Sequence, residues 1–433
     1  MKRIVSALLS AVLVVSSASA LSAFAENYGE GKKLVVLGDS VAAGYGLLSE
    51  ECNYGQICAD YLGGSVENYA HSGDETDNLL DVISNFSDEQ NTSVSNADII
   101  IISIGGNDLM QGFAKEFLKY AVTKDLLTEQ YSGLTTEAID AMDKINLTSL
   151  TDGFIDEAKL KALAKSDPIN FISKLNVMGN TVNSSVTQAS VIPNIQKAVN
   201  QIKEKNPDAR IIVQTIYNPL QFEQGYFESK GKSTDYVKAI DNVRRVFKNI
   251  LTTFSTQLGT VEGIEIADIY TDFSSKDENS AEYAWYFTNM QTDNPDIHPS
   301  QKGHLAIAAN ILNVIGEKSD NGSKFRQIYN TLSDKEKYPA AALSSYENLC
   351  GTYSLGDVND DGKIDSTDAS AVLKEYSRTS TSKESYLTDT QKKAADVIND
   401  SVFDANDAST LLAYYSGLST SSTYTMKEYL LTH

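Results

Sequence analysis

Cysteine is nearly missing from this 433-residue chain: Cys52, Cys58 and Cys350 are the full complement. An odd number excludes complete internal pairing, and a chain of this length needs no disulfide framework to build a core. Cys52 and Cys58 would bridge if a turn separated them, but at helical spacing they face each other poorly. Neither sits in a recognisable histidine pattern, which argues against a cysteine hydrolase. Basic residues are also scarce, with 36 Lys and Arg against 58 Asp and Glu and a formal net charge of −22. That balance argues against a nucleic-acid or anionic-membrane surface and leaves carboxylates for a cation such as calcium. Long apolar runs are missing beyond residue 25, so no later segment reads as a membrane span. The one apolar run at the start, residues 4–15, is shorter than the roughly 20 residues that cross a bilayer. Lys2-Arg3 precedes it and Ala23-Phe24-Ala25 follows, the order of a secretory signal peptide over residues 1–25 with the mature chain beginning near Glu26.

What is present centres on Lys33-Leu34-Val35-Val36-Leu37-Gly38-Asp39-Ser40, an apolar run stopped by Gly-Asp-Ser. It reads as a buried strand delivering a serine at its carboxyl end, where open α/β sheets place ligands. The triplet alone also has the composition of an ordinary turn. Further apolar runs at 98–105, 209–217 and 263–269 alternate with helical periodicity at 75–86, 192–205, 235–254 and 303–315. Ile99-Ile100-Ile101-Ile102 shows no polar alternation, as in strands covered on both faces. The expected fold is therefore α/β, a three-layer α/β/α domain with a mostly parallel sheet over residues 26–316. Residues 109–191 depart from the rhythm and are too long for an ordinary connection. Helical pieces at 115–130, 136–144 and 156–165, with an Asn- and Ser-rich tract at 176–190 expected as loop, make this a helical insertion that serves as a wall or lid, or simply as packing. A linker is expected over 317–350, with a short helix at 334–345, and a small all-α module over 351–433.

Three further motifs follow the serine in order. Gly73 lies in Ala70-His71-Ser72-Gly73-Asp74, Asn107 in Gly105-Gly106-Asn107-Asp108 after the isoleucine run, and His298 in Pro295-Asp296-Ile297-His298-Pro299 before the last helix. Together Ser40, Gly73, Asn107 and His298 resemble the SGNH hydrolases, also called the GDSL esterase/lipase family, over about residues 32–316. The resemblance implies a serine esterase in which His298 takes the Ser40 proton during attack on an ester carbonyl. It also implies an oxyanion site made by the backbone N–H groups of Ser40 and Gly73 and the side-chain amide of Asn107. The acid behind His298 stays open. Many members carry Asp three residues before the histidine, where this chain has Pro295; Asp296 is the first choice, Asp293 the alternative, and a backbone carbonyl the third. Asp39 and Asp108 are expected to order their loops by hydrogen bonding, His71 to be structural, and His304 to have no assigned catalytic role.

From residue 356 the composition changes. Asp357, Asn359, Asp361, Asp365 and Asp368 fall at positions 1, 3, 5, 9 and 12 of a loop, with Gly362 at position 6 and the Lys363 carbonyl at position 7. These hard oxygen donors suit calcium. A second copy lies 39 residues on, with Asp396, Asp400, Asp404 and Asp407 at positions 1, 5, 9 and 12 and the Val402 carbonyl at position 7; Ile398 and Ser401 replace the donor at position 3 and the glycine at position 6. Each loop leads into an apolar stripe, Ala369, Val372, Leu373 and Tyr376, then Ala408, Leu411, Leu412 and Tyr415, expected to pack on each other. The duplication resembles a type I dockerin over about residues 356–417. That resemblance implies two calcium sites, the second weaker, and a cohesin module of a scaffold protein as partner. Ser366, Thr367, Ala405 and Asn406, at loop positions 10 and 11, are the cohesin-facing candidates. Their difference between the halves argues against interchangeable binding.

Taken together, these features point to an extracellular carbohydrate esterase of the cellulosome, first of all one deacetylating hemicellulose. Two alternatives remain: a lipase or broad acyl esterase, for which the insertion, Tyr217-Asn218-Pro219-Leu220 and the aromatic run 283–287 would build a larger acyl pocket, and an inactive dockerin-bearing binding protein.

Overall fold

The computed structural model describes residues 31–433 apart from 146–152, 219, 221, 223–224, 232–233, 275–286, 290–295, 317–322, 333–337, 339, 351–352, 399, 401, 419–425, 427–428 and 431–433. The expected signal peptide lies outside the described residues, as do Asp293 and most of the aromatic run 283–287. The chain divides into two compact units, one reaching to residue 59 and covering 64–315, the other covering 60–63 and 316–433.

The first unit is built on five parallel strands, β1 (Lys33–Gly38), β2 (Ser65–Asn68), β3 (Ile99–Ser103), β4 (Arg210–Gln214) and β5 (Glu265–Ala267), in the order β2-β1-β3-β4-β5. Val36 pairs with Asn68 on one side and Ile101 on the other, and Gly38 pairs with Ser103. Because β2 leaves to one side of β1 and β3 returns to the other, the order reverses between β1 and β3. The carboxyl ends there form the crevice in which such sheets bind ligands. Leu34, Val35, Val36 and Leu37 are all buried, since helices cover both faces, which is why β1 reads as an unbroken apolar run.

On one face Val35, Leu37, Ile100 and Ile102 pack against helices α1 (Thr76–Ser84), α2 (Gly106–Thr123), α4 (Ile192–Lys205) and α5 (Thr234–Leu258) through Ile83, Leu109, Ile195 and Phe254. On the other, helix Tyr54–Tyr61 comes so close to β1 that a Cβ on Gly55 would stand 2.7 Å from Val36 Cγ2. Helix α6 (Gln301–Ile315) lies against β5. The result is a three-layer α/β/α domain. No disulfide joins Cys52 to Cys58, because Cys58 is inside helix Tyr54–Tyr61 with its thiol 3.8 Å from the Ala308 carbonyl.

The interval between β3 and β4 is helical, but not as expected in detail. Helix α2 ends at Thr123, with Asp125 in the left-handed region at φ 51°. The tract expected as a loop, 176–190, is helix: α3 (Pro168–Thr181) continues through π-helical turns Val182–Val191 straight into α4. Its Leu175, Met178, Val182 and Val191 are buried. Two of its serines bond inside the helix, Ser184 donating to Asn180 O at 3.1 Å and Ser185 to Thr181 O at 2.6 Å. Serine composition favours loops only when such back-bonding is not made.

In the second unit, helices α7 (Ser323–Asn330) and α8 (Ala340–Leu349) occupy the stretch expected as linker. Arg326 of α7 forms a buried two-point pair with Asp360, at 2.5 and 2.8 Å, and donates to the Cys350 carbonyl at 2.8 Å. Helices α9 (Ser366–Thr379) and α10 (Ala405–Leu418) pack on each other around Val358, Ala369, Val372, Ala408, Leu411 and Tyr414. Of the expected stripes, Ala369, Val372, Ala408 and Leu411 are buried, whereas Leu373, Tyr376, Leu412 and Tyr415 are 42–44 % exposed. The buried Asp368 and Asp407 extend the inward face on the other side, so that the inward positions are 368, 369, 372 and 375, then 407, 408, 411 and 414.

Candidate active site

Ser40 follows directly from the way β1 ends. Gly38 sits at φ +132°, and a Cβ there would fall 1.9 Å from Ser103 O, so only glycine lets β1 pass so close to β3. Asp39 donates its N–H to Ser103 O at 2.9 Å and caps a single helical turn, Ser40–Ala43, by accepting from Val41 N at 3.0 Å. The serine is thereby held at the top of the switch-point crevice. Burial pushes the Asp39 carboxyl up to about 7; its contacts are those of a loop-shaping group.

A short antiparallel pair, β6 (Thr288–Asn289) and β7 (Asp296–Pro299), brings the histidine. His298 Nε2 lies 2.8 Å from Ser40 Oγ, and His298 Nδ1 lies 2.5 Å from Asp296 Oδ1. With a carboxylate as acceptor, Nδ1 carries the ring proton and Nε2 is left to accept from the serine. Burial pushes the Asp296 carboxyl up, but the hydrogen bonds and charge of His298 outweigh it and hold the group below its ordinary value. Two residues without a motif steady this strand: Tyr217 donates its hydroxyl to Ile297 O at 2.7 Å, and Asn289 Nδ2 donates to His298 O at 3.4 Å. Tyr217 follows the end of β4, the kind of position where sheet ligands gather, whereas Asn289 leaves no sequence signal.

Asn107 lines the same cavity as the serine and reaches the loop that carries Gly73. Asn107 is buried in the first turn of α2, which starts at the end of β3, and its Nδ2 donates to Asp74 O at 2.8 Å, one of two N–H bonds the amide can make. Gly73 stands at φ +86° with nothing within 4 Å of where a Cβ would be. Asp108 accepts from Thr76 N at 3.0 Å and Thr76 Oγ1 at 2.6 Å, tying this loop to α2, and burial pushes its carboxyl up to about 7. His71 is exposed and 3.6 Å from Asp74, outside the site. His304 is buried, accepts from Tyr54 N at 3.2 Å and stacks on Tyr54; burial lowers its pKa to about 3 and keeps it neutral.

A cavity of about 70 Å³ opens beside this line. Ser40, Asn107 and His298 line it together with the apolar Leu109, Met110, Ile216, Phe247, Leu251 and Ile297.

A serine, a histidine and a carboxylate in one hydrogen-bonded line, set at the switch point of a parallel sheet, define a serine hydrolase of the α/β class. The pattern of the GDSL-like lipase/acylhydrolase family matches residues 36–306, and the chain belongs to that family; a type I dockerin domain follows at residues 355–414. Among solved structures, the chain is similar to a lipase from goat rumen metagenome (17% identity, TM-score 0.37, covering 65% of this chain and 96% of that one). It is also similar to phospholipase A1 from Streptomyces albidoflavus (17%, 0.38, 67% and 100%) and to a catalytic mutant of an acetylxylan esterase from Geobacillus stearothermophilus (15%, 0.34, 67% and 97%). No curated protein matches the chain.

The described residues of the two dockerin loops make matching hydrogen bonds. Asp357 accepts from Asp361 N at 3.1 Å and Gly362 N at 3.0 Å, and Asp361 from Lys363 N at 2.9 Å. Asp368 gathers Val358 N, Asn359 N and Asp365 N, just as Asp407 gathers Val397 N, Ile398 N and Asp404 N. Asp396 accepts from Asp400 N, and Asp400 from Val402 N, each at 2.9 Å. Among the described residues no three acidic, histidine or cysteine side chains converge on one metal position. The donor set nevertheless suits calcium, all hard oxygen on a loop that turns at Gly362, φ +82°. Burial, then the charges of Asp368 and Asp360, push Asp357 up to about 7, a penalty that a bound cation relieves. Ser366, Thr367, Ala405 and Asn406 are exposed in the first turns of α9 and α10. Among the described residues, no helix is long and apolar enough to cross a membrane.

Proposed function

We propose that this chain is an exported carbohydrate esterase that removes acyl groups from plant-cell-wall polysaccharide while its dockerin holds it on a cohesin-bearing scaffold. The observation that carries the chemistry is the continuous line from Ser40 Oγ through His298 to Asp296. Ser40 attacks the ester carbonyl as His298 Nε2 takes its proton, and Asp296 stabilises the imidazolium. The oxyanion is met by the N–H groups of Ser40 and Gly73 and the free arm of the Asn107 amide. His298 then protonates the departing sugar alcohol, and water, activated by the same imidazole, releases the acid from Ser40. The intact line argues against an inactive binding protein.

Acetylated hemicellulose is the first substrate class, because a cohesin-bound dockerin would tether the enzyme among polysaccharide-degrading partners. Calcium, when bound, draws the loop oxygens together. The first loop would hold it through Asp357, Asn359, Asp361, Asp365, Asp368 and the Lys363 carbonyl. The second would hold it through Asp396, Asp400, Asp404, Asp407 and the Val402 carbonyl, one donor short. A second reading, an esterase for longer acyl groups, is favoured by the apolar walls at Met110, Phe247 and Leu251, more than an acetyl methyl can cover.

The test is hydrolysis of acetylated xylan beside 4-nitrophenyl esters from acetate to octanoate, with Ser40→Ala as control. Preferred release of acetate from xylan supports the first reading. Activity rising with chain length and negligible on xylan supports the second, and no hydrolysis of any ester contradicts both.

A further inference from the structure

We propose that Lys144, from the helical insertion, is a positioning residue for the oxyanion loop; the inference rests on the esterase reading above. The loop from Gly73 to Thr76 has little packing to hold it at its most important point. Around Gly73 there is open space, and glycine takes its φ of +86° without steric cost, so neither packing nor a side chain of its own holds the peptide in place. Polar contacts do the fixing. Asn107 takes the Asp74 carbonyl at 2.8 Å, Asp108 takes Thr76 N and Oγ1, and Lys144 Nζ donates to the Gly73 carbonyl at 3.0 Å while standing 3.7 Å from the Glu75 carboxylate.

Lys144 is itself delivered with unusual firmness for a residue in an inserted segment. The next residue, Ile145, is buried, and both its backbone groups are held by one buried side chain: Ile145 N donates to Gln111 Oε1 at 2.9 Å, and Gln111 Nε2 donates to Ile145 O at 3.1 Å. Two residues earlier, Lys115 Nζ donates to Met142 O at 2.6 Å. Gln111 and Lys115 both lie on α2, four residues apart, and the first turn of the same helix carries Asn107. One rigid element thus sets the amide at the oxyanion directly and the Gly73 peptide through Lys144. The insertion has a role in the reaction beyond that of a wall.

Lys144 has no place in bond making. Its removal leaves the Gly73 carbonyl to water and lets the Gly73 N–H swing off the line to the developing oxyanion. Losing an oxyanion donor outright costs on the order of 10²–10³ in kcat, so a donor left present but loosely aimed should cost about tenfold. The loss belongs in kcat, since the donors engage the oxyanion more strongly than the ground-state carbonyl.

The test is steady-state hydrolysis of a short 4-nitrophenyl ester by the full chain and by Ser40→Ala, Lys144→Met and Lys144→Arg, with thermal melts alongside. Lys144→Met is expected to lose about tenfold in kcat with KM within about twofold, and Lys144→Arg, which keeps a donor and a charge, to recover most of it. Should Lys144→Met fail to fold, Lys144→Gln, polar but too short to reach Gly73, makes the same comparison. Unchanged kcat in the Met or Gln variant, a loss confined to KM, or an arginine variant as slow as the methionine one overturns the inference. Equal hydrolysis by the full chain and Ser40→Ala overturns the esterase reading and this inference with it. Hydrolysis that depends on Ser40 but not on Lys144 overturns the inference alone.

Discussion

Asp296 and His298 stand two residues apart on β7, and one carboxylate oxygen, Oδ1, receives both the imidazole Nδ1 at 2.5 Å and the His298 backbone N–H at 3.2 Å. In an extended strand, residues i and i+2 point to the same side. A spacing of two is therefore enough for the acid and the histidine to meet on a strand, whereas an acid three residues away would need a turn between them. Asp296→Ala is expected to lower kcat by roughly 10³–10⁴, the scale on which a triad acid matters, and Asp293→Ala to leave it nearly unchanged. Comparing kcat for the two variants on one short ester settles the ranking, and the reverse order would move the role to Asp293.

Asp39 supplies a pH dependence. Its carboxyl is raised by burial from 3.8 to about 7, so between those values the folded state holds a proton that the unfolded state has released, and stability falls as pH rises through that window. Asn at this position keeps the acceptor for Val41 N and has nothing to ionise. The melting temperature of Asp39→Asn relative to the unmutated chain should thus improve by several degrees from pH 5 to pH 8. A constant difference across that range would mean that Asp39 is not held protonated by burial.

The dockerin loops differ in a way that calcium titration can read. Loss of the donor at Ile398 leaves the second site short, so the first should fill at lower calcium and contribute more of the rise in melting temperature that binding brings. Asp368→Ala should therefore remove more of that rise than Asp407→Ala. Equal losses, or a larger one at Asp407, would reverse the order of the sites.

Much of the fold could be read in advance because burial leaves a plain mark. The isoleucines of β3 announced a strand covered on both faces, and the break after Leu37 announced the serine turn. The tract at 176–190 carries the composition of a loop yet is helix, because Ser184 and Ser185 back-bond within it, an arrangement that composition does not reveal. Leu373 and Tyr376 face outward although they continue the apolar stripe, because a stripe fixes a helix face only to within a residue and the buried Asp368 decides the phase. Tyr217 is legible as a pocket residue after a strand end and does line the cavity, but its hydrogen bond to the Ile297 carbonyl leaves no mark in the sequence. Lys144 leaves no sequence signal, because its contact with the Gly73 carbonyl depends on a fold that brings residue 144 to residue 73.

The most direct measurement of the central claim is covalent trapping of the nucleophile, by treating the full chain with a fluorophosphonate ester and locating the adduct by intact mass and peptide mapping. The structure predicts one adduct per chain, on Ser40, missing in Ser40→Ala and formed much more slowly in His298→Ala. An adduct on another residue, or no adduct on a chain that hydrolyses esters, would contradict it.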